Sequence, residues 1–222
     1  MTPAMQGFSA ARYVSISVYA FALSALWNGF HPIVLPALLL GLVPETQKNS
    51  YLGLLTFLGL TLAVVAQPLF GAASDGSLLR WGRRRPFIIA GTLLVLVFLA
   101  GIGVAQSFAL LFAFYLLLQL ASNVAQGPYQ AFIPDLVPPS RRGLASGAKN
   151  FAEILGVVLS TLLLGALMDR YLQAGAAVWL WSTLGAMATV LLFAMIATQV
   201  GVQETPRVAP LGQSLARRLR EG

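Results

Sequence analysis

The chain has 222 residues, 58% hydrophobic and only 9% charged, with a net charge of +7 and no cysteine. A soluble domain carries about 25% charged residues, so this chain cannot cover a water-facing surface, and its apolar content and lack of cysteine exclude a disordered chain and a disulfide scaffold. Its basic residues lie between long apolar runs instead of on one face, which excludes a nucleic-acid module and leaves an integral membrane protein.

A bilayer-crossing helix needs about 20 mostly apolar residues. Six stretches qualify, at roughly 13–41, 51–72, 86–105, 108–132, 146–168 and 176–200. They are too long for barrel strands, which alternate over about 10 residues. The first is not a secretory signal: Arg12 stands alone before it, and its apolar run continues well past signal length without a clear cleavage site.

In the first span Ser17, Ser24, Asn28 and His31 fall at i, i+7, i+11 and i+14, on one helical face. Pro32 and Pro36 follow and loosen the helix, which is tolerated at depth where a helix lines a cavity. His31 reads either as a solute ligand or proton carrier, or as a hydrogen-bonded packing residue. Small residues recur along the spans at Gly53, Gly59, Gly101, Gly103, Gly156 and Gly165, and allow close helix approach. The connection near Gln106 and Ser107 is so short that the third and fourth spans form a tight hairpin.

The fourth span is the most informative. Gln119, Asn123, Gln126 and Gln130 fall at i, i+4, i+7 and i+11, with Ser122 beside them. Four amides on one face need partners, because an unpaired amide in hydrocarbon is costly. They read as the wall of a wet cavity for a polar solute, each offering donors and an acceptor; the alternative is interhelical hydrogen bonding. In the fifth span Glu153 follows Lys149 by four residues. It is either half of an i, i+4 ion pair or a proton-carrying carboxylate. The tail from Gln203 carries Pro206 and Pro210, then Leu211, Leu215 and Leu219 among Arg217, Arg218 and Arg220. It reads as an amphipathic helix on an anionic leaflet or as a solvated basic tail.

Charge sets the orientation. With both termini and the second and fourth connections on one side, that side holds Arg12, Arg80, Arg83, Arg84, Arg85, Arg141, Arg142, Lys149, Arg207, Arg217, Arg218 and Arg220. The other side holds only Lys48 and Arg170, beside Glu45 and Asp169. This bias places both termini in the cytoplasm. With one histidine and no cysteine, there is no zinc-ligand cluster, phosphate-cradling glycine loop or Ser/His/Asp spacing. The chain does not read as an enzyme, and no metal or cofactor is expected.

The second connection reads GAASDGSLLRWGRRRPFI from Gly71 to Ile88. A carboxylate, Asp75, so near Arg83, Arg84 and Arg85 can form charge-assisted bonds that latch one state. The segment resembles the loop signature of the major facilitator superfamily, G-x-x-x-D-(R/K)-x-G-R-(R/K), with Gly71, Asp75, Gly82, Arg83 and Arg84 in place. Its extended spacing and GRRRPF ending resemble the glycoside-pentoside-hexuronide and sucrose–proton symporters. The block NVAQGPYQAFIPD, residues 123–135, is similar to the fourth helix and following loop of the sucrose symporters, with Asn123, Gln126, Gly127, Pro128 and Asp135 in place. Gln67-Pro68 also suits that group.

The resemblance implies an all-α membrane bundle of six helices, corresponding to the amino-terminal half of a major facilitator fold. Residues 1–202 would form that half and 203–222 a cytoplasmic basic tail or the start of a central loop. It implies alternating-access transport of a small polar solute, a sugar or glycoside, across a plasma (inner) membrane. The cavity residues would be Gln119, Asn123, Gln126, Gln130, Asn28 and His31. Gly71, Asp75, Gly82, Arg83, Arg84, Arg85 and Asp135 would form the cytoplasmic gating loop, and Glu153 or His31 the proton carrier. Sucrose symporters carry an acid where Gln119 stands and an arginine where Gln130 stands, and the signature expects a basic residue at Gly76. Coupling would therefore use Glu153, His31, another ion such as sodium, or none. The expected partners are the solute, the bilayer, and a second six-helix half or a second copy. The alternative is a non-transporting subunit, assembly factor or truncated inactive half.

Overall fold

The computed structural model describes residues 9–77, 82–202 and 204. The expected tail over 203–222 lies outside the described residues except for Glu204, as does Arg80. Among the described residues, six helices are long and apolar enough to cross a membrane, and there is no strand. We number them α1 (Ala10–Leu40), α2 (Lys48–Asp75), α3 (Arg85–Gly103), α4 (Phe108–Gln130), α5 (Arg142–Ala174) and α6 (Ala177–Gly201).

Local chemistry sets several boundaries. Pro86 occupies the first turn of α3, where a missing N–H is harmless. Ser107 caps α4 by accepting from Leu110 N at 3.3 Å. Gly175 ends α5 in the left-handed conformation at φ 64°, which a glycine adopts without strain. The helix α5 extends one to two turns beyond its apolar run at each end, from Arg142 at its start and through Asp169 and Arg170 near its finish.

Within α1, Ala10–Gly29 and Leu35–Leu40 are α-helical, and Phe30–Val34 between them is a π turn. Pro32 and Pro36 have no N–H to give the regular ladder. Leu35 N–H instead reaches back five residues to Phe30 O.

The helices pack as two trios. In one, α1 lies along α5 and α6; in the other, α4 lies along α2 and α3; α3 and α6 join the trios. Small residues decide the closest crossings. A Cβ on Gly91 of α3 would sit 2.6 Å from Ala125 N and 2.7 Å from Ala121 O of α4. One on Gly156 of α5 would strike Phe21 O of α1. The glycines singled out by sequence divide: Gly59, Gly101, Gly103 and Gly156 meet neighbours, whereas Gly53 and Gly165 face open space.

Between the trios, α1 and α4 meet through long side chains. Tyr129 Oη donates to Ile16 O at 2.6 Å, Trp27 Nε1 donates to Ser122 Oγ at 3.1 Å, and His31 Nε2 pairs with Tyr115 Oη at 3.0 Å. The buried core runs along this seam. The least buried spans are α2 and α5, which present Phe57, Leu60, Val64, Phe151, Ile154 and Val158 outward.

Candidate functional site

The polar residues of the spans gather at three places. The first is a recess of about 200 Å³ between α1, α4 and α5. From α1 come Ser24, Trp27 and Asn28; from α4, Gln126, Tyr129 and Gln130; from α5, Lys149 and Glu153. Helical spacing explains each contribution: 24 and 28, 126 and 130, and 149 and 153 are all i, i+4 pairs, so each helix shows the recess one stripe.

Inside it, Lys149 Nζ lies 2.7 Å from Glu153 Oε1. Ser24 Oγ donates to the Glu153 backbone carbonyl at 2.9 Å, tying α1 to α5. Asn28 Nδ2 donates back to Ser24 O at 3.0 Å, leaving its amide oxygen for other partners. Asn28 and Gln130 are exposed, and Gln126 is half-buried. The recess is thus open on one side, with amides, a hydroxyl, an ion pair and an indole on its walls.

The amide stripe of α4 does not face one space along its whole length. Gln126 and Gln130 line the recess. Gln119 and Asn123 are each 3% exposed. Asn123 Nδ2 donates to Gln119 O at 2.8 Å, within its own helix. Gln119 Nε2 approaches Tyr115 Oη at 3.4 Å and packs where Gly59 of α2 leaves room. His31 belongs to this second neighbourhood: it stacks on Trp27 at 4.8 Å and bonds Tyr115. Trp27 links the two neighbourhoods, because its ring touches both the recess and His31.

The third polar place is the helix end that carries most arginines. Arg84 is 3% exposed and sits between two carboxylates. Its Nη2 lies 2.9 Å from Asp75 Oδ1 and 2.6 Å from Asp135 Oδ2, and its Nη1 donates to Pro128 O at 3.1 Å. Arg83 pairs with Asp135 and lies 3.7 Å from Asp75. Arg85 donates to Gln199 O, and to Val202 O at 2.9 Å, where the last carbonyls of α6 lack helical partners. Glu204 accepts from Arg84 N at 2.9 Å, over Gly82, whose φ of 112° suits glycine. The cluster therefore joins the ends of α2, α3, α4 and α6.

Sequence reasoning missed Trp27 as a wall, Glu204 as a partner and the carbonyls of α6 as acceptors. Only Trp27 gave a local signal, one residue before Asn28. Gly71 lies beside Gly127, where α2 and α4 approach closely. At this end of the bundle, the described basic residues are Arg12, Arg83, Arg84, Arg85, Arg141, Arg142 and Lys149. The opposite end has Lys48 and Arg170, the latter 4.8 Å over the Trp179 ring.

Six apolar helices with polar groups gathered in an open recess define a multi-pass integral membrane protein. The profile of the MFS/sugar transport protein family matches residues 46–218, and the chain belongs to that family. Among its relatives, Solute carrier family 45 member 4 of Mus musculus is 33% identical over 148 residues, covering 60% of this chain and 18% of that protein. Sucrose transport protein SUC4 of Arabidopsis thaliana is 30% identical over 140 residues, covering 53% and 28%. Lactose permease of Leuconostoc lactis is 24% identical over 163 residues, covering 66% and 24%. The chain spans less than a third of the length of each of these relatives. All three are named as transporters.

Proposed function

We propose that this chain forms one wall of a transporter that carries a small polar solute, of the sugar or glycoside class, by alternating access. The observation that carries the reading is the open recess, in which amides from two helices surround an ion pair and an indole. Hydroxyl-rich solutes need paired donors and acceptors, and amides supply both. Family membership and relatives named for sucrose and lactose support the same class. The facing wall comes from a second six-helix half or a second copy, which would also cover α2 and α5. Asp75, Arg83, Arg84, Arg85, Gly82, Gly71 and Asp135 act as a gate on the cytoplasmic side of a plasma (inner) membrane, with both termini on that side. On this wall the ionisable groups that could serve a coupling cation, proton or sodium, are His31 and Glu153, and the choice between them is taken up below.

Native cysteine is absent, so single-cysteine variants give a clean test. Cysteines at 28, 126 and 130 should react with a water-soluble maleimide in membranes co-expressing a second half, and sucrose or lactose should slow them. Cysteine at 117, on the exposed apolar side of α4, should not react. With a responding sugar, Gln126→Ala should weaken binding by about 1–2 kcal/mol through one lost hydrogen bond. Uniform protection of 28, 126 and 130 would make the recess a packing feature.

A further inference from the structure

The Lys149–Glu153 pair runs against the usual reasons for an ion pair on a helix. The favourable order places the acid first and the base four residues later; here the base comes first. Lysine this close to a helix end normally snorkels toward the nearby interface. Lys149 instead turns inward, one turn deeper, onto Glu153.

What surrounds the pair is uncharged. Ser24, Trp27 and Asn28 face it from α1, and Gln126, Tyr129 and Gln130 from α4. Lys149 and Glu153 are the only charged residues among the described lining of the recess, so its net charge is zero. An unpaired carboxylate beside these amides would recruit a small cation, because amide and carboxylate oxygens are the ligands a hard cation selects. The ammonium already stands in that place, attached to the same helix.

Resting on the transport reading above, we propose that the Lys149 ammonium is the resident counter-ion of the recess. It neutralises Glu153 where a free cation would otherwise be required, so Glu153 carries neither proton nor sodium with the solute. Of the two acceptors on this wall, that leaves His31 for any coupling that occurs. The solute then meets a fixed, neutral pair offering acceptors from Glu153 and donors from Lys149.

The test reads Glu153 directly and does not need transport. The purified full chain in liposomes is treated with dicyclohexylcarbodiimide, which modifies carboxyl groups that have taken up a proton, and labelling at residue 153 is followed by mass spectrometry. Wild type should label slowly, at a rate that sodium does not change. Lys149→Met should label on the order of tenfold faster, the effect of removing one charge-assisted partner, and sodium should slow it. Lys149→Arg should restore slow, sodium-insensitive labelling, and a Glu153→Gln control sets the background. A pair that only staples the helix would not create sodium sensitivity. Fast labelling of wild type, sodium protection of wild type, or sodium-insensitive labelling of Lys149→Met would overturn the proposal. If these labelling results appear while no sugar protects the recess cysteines, the counter-ion role stands and the transport reading falls.

Discussion

Replacing Asp135 with alanine should expose how much the arginine cluster contributes to the bundle. The carboxylate accepts from Arg84 Nε at 2.9 Å, lies 2.6 Å from its Nη2, and also pairs with Arg83. Arg84 is almost fully buried, so it cannot turn to water when this partner is lost. Leaving a buried charge without its partner costs about 3–5 kcal/mol. Two features reduce that figure. Asp75 still holds Nη2 at 2.9 Å, and the Asp135 side chain is 34% exposed. An expected loss of about 2–3 kcal/mol follows, near the range for a hydrogen bond to a charged group. The assay is reversible unfolding of the purified chain in mixed micelles by SDS titration, followed by tryptophan fluorescence. Arg84→Met combined with Asp135→Ala should lose less than the two single losses added, because the double variant buries no orphan charge. A loss under about 0.5 kcal/mol for Asp135→Ala, or strict additivity in the double variant, would refute the reasoning.

Two further outcomes are expected. Gly156→Ala should destabilise the bundle by about 1–3 kcal/mol in the same titration, since its new methyl strikes a backbone oxygen of α1; Gly165→Ala, facing open space, should be neutral or slightly stabilising. Reporter fusions at positions 45 and 170 should report the outer side and fusions at 80, 140 and 215 the cytoplasm; an outer location for the 83–85 loop would contradict the gate.

The six helices are legible in the sequence because hydrocarbon thickness imposes a length that few other structures share. The amide stripe of α4 is legible for a related reason, since helical periodicity follows from residue numbers alone. What each amide faces is not. Gln119 is buried because Gly59 on another helix leaves it room, and Gln126 is open because α1, α4 and α5 leave a recess there. Both facts depend on the register between helices, which no local spacing encodes. Asp75 and the arginines are close in sequence, so their pairing could be read. Asp135, Glu204 and the carbonyls of α6 join them only through tertiary packing. His31 shares the α1 face by numbering, yet it sits in the π turn and pairs with Tyr115 instead of lining the recess.

That π turn also changes what length variation α1 can absorb. Each residue added to or removed from a regular helix swings everything beyond it by about 100°. A single deletion between Gln119 and Gln130 would therefore turn one end of the α4 wall away from the recess. Phe30–Val34 already accommodates one residue more than an α-helical turn. Removing one residue there would relax the segment toward regular winding and leave Ala10–Gly29 and Leu35–Leu40 facing their present neighbours. The first helix thus carries a place where chain length and helix phase are uncoupled, beside the histidine that meets the seam.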